Sequence, residues 1–113
     1  MIFKVFQIPI EENEALLISA HGWKGAAKKS PRIHAFLESV DNRNYRLAYS
    51  MNQHVHVASI DCNTLEDTFK IGHFGPEDHI TRHATFHPIS AGDVIQTPAG
   101  RTVIITPFGF EDV

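Results

Sequence analysis

The chain has 113 residues, of which 42% are hydrophobic and 20% charged, and its formal net charge is −3. That length suits one compact domain, residues 1–113, and that composition excludes disorder throughout. The negative balance argues against a general nucleic-acid coat protein but leaves room for a local basic patch.

The opening, Met1 to Pro9, carries one lysine and no apolar run long enough for a signal peptide, and no later stretch approaches a membrane span. A protein without membrane contact, in the cytoplasm, is expected. "IFKVFQIPI" is rich in β-branched and aromatic residues, which favours a strand, with Pro9 at its end. "EENE" reads as a polar turn and "ALLISA" as a second short strand, pairing with the first as a hairpin.

"HGWKGAAKKSPRI" holds two glycines and a Ser-Pro pair and reads as a loop. Ser30 is placed to cap a helix with Pro31 at its first position. "PRIHAFLESV" continues that helix, since Ile33, Phe36, Leu37 and Val40 fall at helical spacing. "NYRLAYSM" and "HVHVASI" each alternate and read as strands joined near Asn52.

"NTLEDTFKIGHF" reads as a short helix capped by Asn63 or Thr64, with Glu66 and Asp67 at its positive end and Gly72 closing it. The sole cysteine, Cys62, excludes an intrachain disulfide and fits a reducing compartment. It lies just before that helix and reads as a small buried apolar group, not a nucleophile. "GPEDH" marks a turn or a new helix start. Residues 79–88 read as an irregular loop leading into a strand. "ISAGDVIQTPAGRTVIITPFGF" is the clearest β-hairpin, with Phe108 and Phe110 expected to cover the sheet. The sum is an α+β fold: a small, mostly antiparallel sheet with two short helices packed on one side.

The order "YRLAYS", "NTLEDTFKIGHFGPEDH", "ISAGDVI", "TVIITPFGFEDV" resembles the YodL-like domains of the large polyvalent protein-associated group of phages, plasmids and other mobile elements. The carrying features are Leu65-Glu66-Asp67, Pro76-Glu77-Asp78, Ser90 with Gly92-Asp93-Val94-Ile95, and Gly109-Phe110-Glu111. They cover residues 44–113. The resemblance implies a small α+β domain from a mobile element, with no reaction, cofactor or catalytic residue attached to it. Physics alone explains the motif: Gly92 permits a positive φ before a strand, Asp93 accepts from turn amides, and Gly109 permits a sharp bend.

Eight histidines raise the question of a metal. His79, His83 and His87 are four apart, but Pro88 disfavours helix at His87. Even a straight helix would set the first and third about 12 Å apart along its axis, too far for one ion, which leaves His79 with His83 as a possible pair near the carboxylate of Glu77 or Asp78. His54 and His56 would share a strand face and could chelate zinc or copper with a third ligand from His73, Asp61 or Cys62. Against this stands a solvent-facing pair opposite Val55 and Val57. The reading adopted is therefore no metal and no cofactor. A metal-dependent enzyme on His54, His56 and His79 is the third alternative.

Lys24, Lys28, Lys29, Arg32, Arg43 and Arg46 are six of the ten basic residues, and Trp23 sits beside them. A tryptophan among lysines can anchor a protein partner or stack on a base. The binding surface expected is Trp23, Lys24, Lys28, Lys29 and Arg32. The expected function is a non-catalytic accessory protein binding a macromolecule. A protein partner ranks ahead of nucleic acid because the net charge is negative, and a merely solvated loop is the plainer alternative.

Overall fold

A computed structural model describes residues 1–113. The chain divides into two compact units: Met1–Gln7 with Val55–Val113, and Ile8–His54.

The first unit is a six-stranded sheet in the order β3-β2-β1-β4-β5-β6. Its strands are β1 (Ile2–Gln7), β2 (Val55–Asp61), β3 (Ile80–Arg82), β4 (Val94–Gln96), β5 (Thr102–Thr106) and β6 (Gly109–Asp112). Every pairing is antiparallel. The α+β reading with a mainly antiparallel sheet therefore holds, with four α-helices in place of two.

Alternation in β1 sends Phe3, Val5 and Gln7 into the interior and leaves Ile2 and Lys4 exposed. The core gathers Phe3, Val5, Val57, Ala58, Ile60, Ile89, Ile95, Val103 and Ile105. Each fully buried Val or Ile adds about 1.5–3 kcal/mol from leaving water. The register of β1 on β2 slips between Val5 and Phe6. That bulge breaks the two-residue alternation of β2, so Val57 and Ala58 are both buried.

Helix α4 (Leu65–Phe74) belongs to this unit and lays Leu65, Phe69 and Ile71 on the core. Thr64 caps it, its hydroxyl accepting from the Asp67 amide at 3.0 Å. It runs past Gly72 and stops at Gly75, whose φ is +88°. Gly72 serves packing instead: a Cβ there would lie 2.1 Å from Ile89 Cδ1. The 79–88 segment contains the short strand β3, where irregular backbone was expected.

The β4–β5 hairpin forms as expected, and Gly92 takes φ +97° before β4. A further strand, β6, follows a second tight turn. Gly109 makes its bend at φ +133°. Phe110 packs on the core, whereas Phe108 at that turn is 99% exposed and covers nothing.

The second unit is helical: α1 (Glu12–Ala27), α2 (Pro31–Val40) and α3 (Tyr45–Ser50). "ALLISA" and the glycine-bearing stretch after it are thus helix, not strand and loop. The Glu14 carboxylate accepts from the Glu11 amide at 3.1 Å, closing the first turn. Gly22, at φ +70°, kinks α1 and lets it continue. Ser30 caps α2 as expected, accepting from the Ile33 amide at 3.3 Å. "YRLAYS" is helix α3 where a strand was expected; Tyr45, Ala48 and Tyr49 satisfy helical spacing too, and Ala48 is fully buried. No helix is long and apolar enough to cross a membrane.

Candidate functional site

The kink at Gly22 delivers Trp23 onto the last turns of α1. Its ring stacks on Phe36 of α2, centroids 5.6 Å apart and planes 14° from parallel. The residue nevertheless stays 44% exposed. One face of the indole is thus fixed by packing while the rest meets solvent. Lys24 and Lys28 follow one turn apart, and both are exposed, as is Lys29. The structure places these four residues on and just after α1, where a loop had been expected.

Arg32 behaves differently. Its guanidinium donates to Glu14 Oε1 at 3.0 Å and lies 3.6 Å from Glu11 Oε2. It ties the start of α2 to the start of α1, so its charge is partly neutralised. Across residues 8–54 six basic residues face five acidic ones, which leaves the unit nearly neutral.

The histidines disperse. β2 begins at Val55, so His54 precedes the strand and packs edge-on against Tyr49, centroids 5.7 Å apart. The expected His54–His56 strand pair therefore does not form. His73 Nδ1 bonds the Ile89 carbonyl, His79 Nδ1 bonds the Asp61 carbonyl, and the His87 amide donates to Gln7. Asp61 holds the N-terminal ammonium at 2.9 Å, which keeps its carboxyl below the ordinary range. The Cys62 thiol meets Thr68 Oγ1 at 3.1 Å. No three His, Cys, Asp or Glu side chains converge as a metal-binding group.

One cluster that sequence spacing did not reveal does form. Ser59 Oγ lies 3.2 Å from His56 Nε2 and 2.9 Å from His83 Nε2. The two imidazole centroids are 4.6 Å apart. Because of the bulge, residues 56 and 59 of β2 come to one side, opposite Phe6 and Lys4 of β1. His83 arrives from the end of β3, anchored by its amide on the Val57 carbonyl at 2.8 Å. Burial, then the neighbouring His83, lowers the His56 pKa. Sequence spacing named His56 beside His54 and His83 beside His79, but did not bring His56 and His83 together.

A cleft of about 400 Å³ opens at the C-terminal end of α4, lined among others by Phe74, Pro76, Glu77, Arg82, Phe86 and Pro88. Arg82 bridges it, donating to both Glu77 oxygens at 2.8 and 2.9 Å and lying 5.2 Å over the Phe86 ring.

Comparison with family models, with curated proteins and with solved structures finds no match.

Proposed function

We propose that the chain is a small non-catalytic accessory protein of a phage or other mobile element, which binds a protein partner in the host cytoplasm. The YodL-like resemblance of residues 44–113 supports the origin. The observation that carries the binding reading is the Trp23–Phe36 stack. An indole already held in one orientation, yet 44% exposed, loses little freedom when a partner covers it. Exposed Lys24, Lys28 and Lys29 beside it suit an acidic rim on that partner. The near-neutral balance of residues 8–54 gives little of the long-range attraction that a nucleic-acid backbone needs.

The test is affinity capture from host lysate, with direct titration of each captured protein. Trp23 is the sole tryptophan, so its fluorescence reports contact without a label. Trp23→Ala and Lys28→Glu should each weaken binding about tenfold or more, the range of an interface anchor. Partners bound equally well by both variants would sink the proposal. Binding to nucleic acid that collapses with added salt would replace it with a phosphate-binding function for the lysines.

A further inference from the structure

We propose that His56, His83 and Ser59 form a site for one late first-row divalent metal ion (zinc, copper or nickel), with the two Nε2 atoms as its ligands. The serine hydroxyl is placed to act as a third donor or to hold a metal-bound water.

The geometry is the first support. Both Nε2 atoms already address a common point, Ser59 Oγ, at 3.2 and 2.9 Å. Two imidazoles bound to one tetrahedral zinc at about 2 Å have ring centres about 5 Å apart. The observed 4.6 Å lies close to this.

The backbone that sets this spacing is firmly held. His83 is held by the hydrogen bond its backbone N–H donates to the Val57 carbonyl, and the His56 ring packs on Phe6 with centroids 5.2 Å apart. His56 and Ser59 come from β2, and His83 follows directly on β3, the strand paired with it.

The chemistry of the donors selects the ion. Imidazole nitrogen suits zinc, copper and nickel, whereas magnesium and calcium want a shell of oxygens. A metal takes the neutral ring, so binding should weaken as pH falls and the imidazoles protonate. His83 and Ser59 are reachable from solvent, since His83 is exposed and Ser59 half-buried. Coordination positions left by two histidines and a serine stay open, so a micromolar affinity is expected instead of the tighter hold of a closed structural site.

One charge opposes the ion. Lys4 stands opposite Ser59 in the β1–β2 register, and its ammonium acts on His56. Its side chain is exposed and free to swing outward. Replacing it should strengthen the site.

The test titrates zinc, and separately nickel, into the untagged full chain by calorimetry and by NMR of the imidazole resonances. One ion per chain is expected, with the His56 and His83 signals moving together. His56→Ala and His83→Ala should each weaken binding at least about tenfold, and Ser59→Ala less than either. Lys4→Gln should tighten it, and His79→Ala should change nothing. His83→Gln, which keeps polar bulk at the strand edge, guards against loss of fold. Absence of saturable binding overturns the proposal. So does binding that survives His56→Ala in a chain shown to be folded by circular dichroism, or binding that His79→Ala removes.

Discussion

Gln7 is a polar residue only 4% exposed at the end of β1, and it is fully engaged. Its amide nitrogen donates to the His87 carbonyl at 2.8 Å and to Asp93 Oδ2 at 2.9 Å, while its oxygen accepts from the His87 amide at 3.1 Å. The side chain thereby pairs with residue 87 as a neighbouring strand would, pinning the segment between β3 and β4. Gln7→Leu would leave the His87 backbone unpaired at a cost of about 1–3 kcal/mol, readable as a lower urea midpoint with unchanged slope. Asp93, half-exposed as a residue, turns its carboxyl into this network, where it also accepts from the Ser90 amide at 2.9 Å. Loss of water around the carboxyl outweighs those bonds and raises its pKa from 3.8 to about 7. A carboxyl raised in the fold stabilises it fully below the unfolded value. That contribution is lost as pH climbs through the folded one. Stability of the native chain relative to Asp93→Asn should therefore fall between pH 3.8 and about 7, then level off. The drop should be on the order of a few kcal/mol. Denaturation of both chains across that range checks it, and parallel curves would show that Asp93 keeps an ordinary pKa.

At the scale of elements, helices capped by Ser or Thr were legible and the others were not. Ser30-Pro31 and Thr64 announce α2 and α4, and both caps are made. Helix α1 buries only Ala26 and leaves Leu16 63% exposed, so it carries no apolar stripe for periodicity to find. Its capping Glu11 is not among the usual cap residues. The six residues of α3 are too few to separate a period of two from one of 3.6. The His56–Ser59–His83 cluster was hidden for a related reason. It depends on a bulge between Val5 and Phe6 and on the pairing of β3, neither of which leaves a local pattern. Gly72 was legible as a helix glycine but misread as a terminator. Its place is against Ile89 and Ile60, where a methyl group would meet Ile89 Cγ1 at 2.5 Å. Gly72→Ala gains about 1 kcal/mol of helix propensity but forces apart a packed contact costing about 1–3 kcal/mol or more. A net loss of stability is expected by thermal denaturation. Ile89→Val in the same chain should recover part of it by drawing back the clashing Cδ1.

For the whole molecule, the division into a sheet unit and a helical unit has a topological consequence. Length and composition pointed to one domain, because neither registers that β1 and β2 are neighbours separated by residues 8–54. Gln7 and Val55 are paired across that join, so the helical unit is inserted where a tight hairpin turn would fit. Every residue of the main hydrophobic core lies in Met1–Gln7 or Val55–Val113. The strand pairings of the sheet likewise run only between residues of that unit. Replacing residues 8–54 with an Asn-Gly turn should shorten the β1–β2 loop, and shorter closure costs less entropy. The resulting chain is expected to fold cooperatively, with β-sheet circular dichroism and a single urea transition. Its Asp93 should still titrate near neutrality, because Gln7, His87 and Ser90 all remain. It should also lose the partner binding assigned to Trp23 while keeping zinc binding at His56 and His83. A shortened chain that shows no cooperative transition would mean that the sheet needs the helical insertion to fold. A folded one that still captures the same partner would move the binding surface off the helices.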